Sequence, residues 1–195
     1  VDNLYKERNF KTALTESEKF LQKYPESKHQ KSMRDKVAKI YFLEKNYKKA
    51  EELFKKLFTM EEKQSQKEEY ASYLARANAL LNNSNSAMFY LREIKDEKTF
   101  QKTFFAVAQD FLAKENNEAA KKAYTEIINN KYENYKESMM GLGIVYYNLK
   151  DYDKAIYWLS EFSKAMPNEN KEMVSYLRAS AIYRKGSTDE AIKYF

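Results

Sequence analysis

Small residues recur along this chain on two linked combs, and that recurrence restricts the fold more than any other property of the sequence. Ala13, Ala50, Ala87, Ala120, Ala155 and Ala191 each follow a polar turn and precede an apolar helical stripe. Their separations are 37, 37, 33, 35 and 36 residues. Twelve positions before the last five of them stand Ala38, Ala75, Ala108, Gly143 and Ala179. Helices packed at interior density come closest where side chains are smallest. A unit of this length hides only part of its apolar surface by itself and needs similar units above and below it. The expected fold is therefore all-α, an α-solenoid of stacked antiparallel helix pairs.

The clearest pair runs from Gly141 to Pro167. Leu142, Tyr146 and Leu149 recur at helical spacing, the polar stretch from Asn148 to Asp153 turns the chain, and Ala155, Leu159 and Phe162 resume the period before Pro167 ends it. Three glycines and two prolines in 195 residues suit long helices and short turns, and leave a sheet protein without its usual turn residues. No cysteine is present, which excludes disulfides, thiolate metal sites and cysteine nucleophiles.

The aligned positions Met139, Leu142, Gly143, Tyr146, Tyr152, Ala155, Leu159 and Pro167 resemble the motif of the tetratricopeptide repeat family, with Met139 in place of the usual Trp and Leu159 in place of an aromatic. The resemblance implies a right-handed superhelix and extends over the whole chain. It divides the chain as a single array into approximate repeats 1-25, 26-62, 63-95, 96-131, 132-167 and 168-195. The first and last repeats are expected to be cut, at Val1 and at Phe195, from a longer protein. The linker Tyr24-Pro25-Glu26-Ser27 is also similar to repeats of bacterial envelope proteins, among them the lipoprotein of the outer-membrane β-barrel assembly machine and the coordinator of the Tol-Pal system. It favours a periplasmic, envelope-associated setting over the cytoplasm.

Motifs that carry chemistry are scarce. His29, the sole histidine, lies among Lys and Gln with no partner at metal or acid–base spacing. Gly141-x-Gly143 follows no strand and lacks the third glycine of a phosphate loop, so close helix packing is the better account. Asp151 and Asp153 lack the glycine and distal Glu of a calcium loop, and Asp151 suits the start of the following helix. No enzyme activity, cofactor or metal is expected.

In the resembled family the first helix of each repeat lines a concave wall. Carried over, that places Phe105, Gln109, Leu112, Met140, Ile144, Tyr147, Tyr176, Tyr183 and Arg184 on an apolar and aromatic part of the wall. Asp35, Lys39, Phe42 and Arg76 fall on a charged part. Aromatic side chains present ~150–250 Å² each, enough together for a groove that takes a partner's peptide or helix. The competing expectation is that these residues pack against neighbouring first helices or against further repeats downstream. The excess charge of +6 sits entirely in residues 1–60, where fifteen Lys/Arg meet nine Asp/Glu. A nucleic-acid binder could use that asymmetry, but no aromatic-basic motif accompanies it, and a solvated lysine-rich face is the plainer reading. The expected function is a protein interaction scaffold, with nucleic-acid binding or a regulatory segment of a larger enzyme as alternatives. The expected partner is a protein or peptide, and membrane contact would come only through an anchor preceding Val1.

Overall fold

The computed structural model describes Glu7 and residues 9–192; Val1 and Phe195, where the outer repeats were expected to be cut, lie outside them. Among the described residues all regular structure is helical. The elements are α1 (Phe10–Lys23), α2 (Gln30–Leu43), α3 (Tyr47–Met60), α4 (Gln64–Leu80), α5 (Ser84–Arg92) and α6 (Glu97–Ala113). They continue as α7 (Asn117–Asn129), α8 (Tyr135–Asn148), α9 (Tyr152–Ala165), α10 (Lys171–Arg184) and α11 (Thr188–Ile192). No described helix is long and apolar enough to cross a membrane.

The chain forms two compact units, residues 1–100 and 101–195. In the first, α1 packs on α2, α2 on α3, α3 on α4 and α4 on α5. In the second, α7 packs on α8, α8 on α9, α9 on α10 and α10 on α11, and α8 also touches α10. Short turns between contacting neighbours make each unit a stack of antiparallel helix pairs, the α-solenoid arrangement.

The small residues lie in the interior of the stack. All ten alanines of the two combs are buried, at 0 or 1% exposure, and Gly143 is buried with them. A Cβ added at Gly143 would lie 2.8 Å from Leu159 Cγ and 3.3 Å from the Leu159 backbone nitrogen. Leu159, itself fully buried, contributes about 1.5–3 kcal/mol by leaving water. Larger side chains fill the space around these contacts: Phe54 stacks on Tyr73 with centroids 4.5 Å apart, and Leu159, Phe162 and Val174 cluster.

The turns repeat as strictly as the contacts. Five residues before each of the last five comb alanines, Lys45, Asn82, Glu115, Lys150 and Gly186 adopt left-handed backbone conformations, with φ of 60°, 65°, 57°, 62° and 99°. The next residue returns its N–H to a carbonyl five positions back, at 2.8 Å for Asn46 to Tyr41 and 2.9 Å for Asp151 to Tyr146. That bond closes the orphan carbonyls at the helix end. In three of the turns the same residue then caps the following helix: Asn46, Asn116 and Asp151 accept from Lys49, Ala119 and Lys154 N–H at 3.3, 3.2 and 3.2 Å.

Two substitutions test this account by urea denaturation. Helix propensity alone would make Gly143→Ala stabilising by about 1 kcal/mol, but overpacking costs about 1–3 kcal/mol, so a net loss is expected. Lys150→Gly removes a side chain from a left-handed position and is expected to stabilise by about 0.5–1 kcal/mol. Opposite signs for either would contradict the packing or the turn geometry.

Candidate partner-binding site

The second unit holds a cleft of about 450 Å³ between α6 and α8. Phe105, Gln109 and Leu112 line it from one face of α6, at i, i+4 and i+7, and Met140 and Ile144 line it from α8. Their placement follows the combs. Phe105 and Met140 stand three residues before Ala108 and Gly143, and Gln109 and Ile144 stand one after. A small residue turned into the helix contact therefore turns these neighbours into the cleft. Glu137 and Asn170 supply polar lining.

Two fully buried rings, Tyr124 from α7 and Phe162 from α9, close the cleft from below. Burial above all, with the Asp110 charge adding to it, pushes the Tyr124 phenol well above its ordinary value, so it stays neutral. Gly141 is what admits this ring: a Cβ there would fall 2.7 and 2.8 Å from the two Cε atoms of Tyr124. From the sequence alone Tyr124 was not singled out, and Gly141 had no particular partner. The signal available was a glycine two residues before the comb position, where no other repeat has one.

The remaining aromatic candidates lie outside that cleft. Tyr147, one turn beyond Ile144, accepts a 2.8 Å hydrogen bond from Arg184 Nε, and the guanidinium sits 5.8 Å from its ring centroid. Tyr152 packs edge-on against Tyr147 with centroids 5.8 Å apart. Tyr176 and Tyr183 on α10 are each 60% exposed. The structure thus brings Tyr147 and Arg184 together as a pair and leaves Tyr176 and Tyr183 open to solvent.

The candidates of the charged part of the wall, Asp35, Lys39, Phe42 and Arg76, all fall in the first unit. Lys39 bridges Asp35 at 2.9 Å and Glu69 at 2.7 Å, and its ammonium lies 5.8 Å from the Tyr73 ring centroid. Burial disfavours the charged amine, but hydrogen bonds to Glu69 and Asp35 outweigh it and hold Lys39 well above its usual range. Asp35 is raised instead, because burial exceeds what Lys39 returns and its Oδ1 has no hydrogen-bond partner. Phe42 is buried, edge-on to Tyr47 and Tyr73, with Arg76 5.3 Å over its ring. Among the described residues no group of three His, Cys, Asp or Glu side chains could hold a metal ion.

Tetratricopeptide repeat models match residues 36–64 and 105–169. A tetratricopeptide repeat protein from Parabacteroides merdae is similar in structure, with a TM-score of 0.66 at 13% identity, over 98% of this chain and 73% of that one. The MamA protein aligns with a TM-score of 0.59 at 19% identity, over 87% of this chain and 90% of that one. A putative kinesin light chain of Podosopora anserina, described as carrying nearly identical TPR-like repeats, aligns with a TM-score of 0.58 at 13% identity, over 87% and 93%. No curated protein matches the sequence.

The Asp35 environment predicts a pH effect. A folded-state value raised above 3.8 means that ionised Asp35 costs stability at pH 7, and that the cost is relieved as pH falls through the raised value. Wild-type protein should therefore gain stability relative to Asp35→Asn between pH 7 and pH 4, measured by urea unfolding of both. A relative loss on acidification would contradict it.

Proposed function

The chain belongs to the tetratricopeptide repeat family and is thereby a protein interaction scaffold; within that class we propose that it is non-enzymatic and that the cleft between α6 and α8 takes an apolar side chain from a partner's peptide or helix. The observation that carries this reading is the cleft itself. Five residues selected by their register to the small-residue comb line one apolar hollow of about 450 Å³ over two buried rings. That volume lies in the ~300–1,000 Å³ range of pockets that anchor ligands, and a helix or extended segment can set one side chain in such a hollow.

Tyr147 and Arg184 extend the binding surface beyond the cleft. An exposed guanidinium held through Nε by a tyrosine hydroxyl keeps its outer N–H groups free to meet a carboxylate, which would fix the direction of the bound segment. Tyr176 and Tyr183 add exposed aromatic area along α10. Asp35, Lys39 and Arg76 form the charged part of the proposed surface, where Lys39 is already committed to Asp35 and Glu69. The proposed setting is a bacterial envelope assembly, supported by the Tyr24-Pro25-Glu26-Ser27 linker. Nucleic acid fits less well, because Lys31 and Lys39 both engage carboxylates of the chain.

Ile144→Glu places a carboxylate at the apolar lining, and Tyr147→Glu removes the ring that holds Arg184. Each should lower affinity for the captured partner by about tenfold or more while the helical circular dichroism is kept. The experiment is capture on immobilised wild type, identification of the bound protein, and titration of that protein against both variants. Equal affinity for folded variants would remove the cleft from the binding site.

A further inference from the structure

The first unit contains a second cleft, of about 490 Å³, where the end of α1, the start of α2 and the length of α3 meet. Its floor is aliphatic: Leu53, Leu57 and Met60 form one stripe of α3, and Leu21 of α1 faces them across the hollow. Leu57 is buried and Met60 is 68% exposed, so the stripe runs from the core out to solvent. It uses no residue of the cleft around Ile144.

The rim has one sign of charge. Lys31, Arg34 and Lys56 line it and no acidic residue does. Lys31 pairs with Glu61 at 2.7 Å and Lys56 with Glu52 at 2.9 Å, which leaves Arg34 as the rim cation with no carboxylate among the described residues. Two features strengthen the positive potential. No side chain caps the start of α2 and no acidic residue lies in its first turn, so the partial positive charge there is not offset locally. Residues 1–60 hold fifteen Lys/Arg against nine Asp/Glu, whereas the other residues balance. Gln30 donates from Nε2 to the Leu21 and Tyr24 carbonyls at 3.0 and 2.7 Å, which ties the start of α2 to the end of α1 at this wall.

We propose that this cleft docks an acidic amphipathic helix of another protein, with its aliphatic side chains on Leu53, Leu57 and Met60 and a carboxylate paired to Arg34. An occupant must bring apolar volume and negative charge, and an acidic amphipathic helix presents both at helical spacing. Nucleic acid brings the charge but nothing to fill an aliphatic floor, and no aromatic side chain lines the cleft for bases to stack on. An anionic bilayer meets convex apolar surfaces and would leave the hollow unfilled.

A display library of helical peptides with randomised positions tests the proposal. It is selected on the wild-type chain and counter-selected on Arg34→Glu/Met60→Glu. Both substituted residues are exposed, and thermal melting verifies that the variant is folded. The expected enrichment is acidic, with aliphatic residues at i, i+3/i+4 and i+7. A synthetic copy of the best peptide should bind at least about tenfold more weakly to either single variant and equally to Ile144→Glu. It should also weaken when its Glu residues are replaced by Lys. The proposal is overturned if the enriched peptides are neutral or basic or none is enriched, or if binding survives both substitutions. It is equally overturned if single-stranded RNA or anionic vesicles bind with the same Arg34 and Met60 dependence, or if Met60→Glu abolishes a self-association of the chain seen by sedimentation.

Discussion

Helices α8 and α9 meet through Gly143, a residue with no side chain, and the rest of the structure repeats that plan with buried alanines. Where Gly143 meets Leu159 there is no room for a methyl group. The alanines of the combs are buried at the corresponding places in the other pairs. An isolated helix of 14 residues is marginal in water, so these helices depend on the apolar faces they press together. Because the small residue must face the neighbouring helix, it also sets the rotation of its own helix and therefore what the opposite positions present. Phe105, Gln109, Met140 and Ile144 reach the cleft for that reason.

A second constraint is carried by the turns. Each hairpin bends at a left-handed residue, and Gly occupies that place only at Gly186; Lys45, Glu115 and Lys150 bear the steric cost of a Cβ there. The cost is offset within the same few residues, since the next position closes the preceding helix with its backbone and can cap the following one with its side chain. Asn46, Asn116 and Asp151 do both. A turn so constrained fixes the angle of entry of the second helix, which lets a small contact twelve residues apart recur through a sequence with little other self-similarity.

The fold was legible in the sequence because its determinant is local and periodic: Gly or Ala at two linked spacings cannot be confused with a sheet pattern. Part of the cleft was legible for the same reason, since register fixes which residues of a first helix share a face. What could not be read was which ring from another helix would lie beneath them. Tyr124 and Phe162 reach the cleft from second helices, and whether a second-helix aromatic points toward a first helix depends on clearance, here given by Gly141. The charged wall shows the converse. Asp35, Lys39 and Phe42 have the right register, yet a tertiary ion pair to Glu69 and an aromatic cluster around Tyr73 engage them within their own unit. The left-handed turn comb left a faint trace in the run of Asn, Asp and Ser at the position that follows it.

Within the tetratricopeptide repeat family the chain thus combines a common scaffold with two hollows of different chemistry, one floored by aromatic rings and one aliphatic with a cationic rim. Both depend on helix pairs held at their closest approach by small side chains. Amide hydrogen exchange under native conditions, comparing Ala155→Val with wild type, tests that dependence most directly. The account predicts that protection falls first and furthest in α8 and α9, the pair whose contact is forced apart, while α2 and α3 keep theirs. Unchanged protection across α8 and α9 in the folded variant would show that the small-residue contact does not hold the pair together.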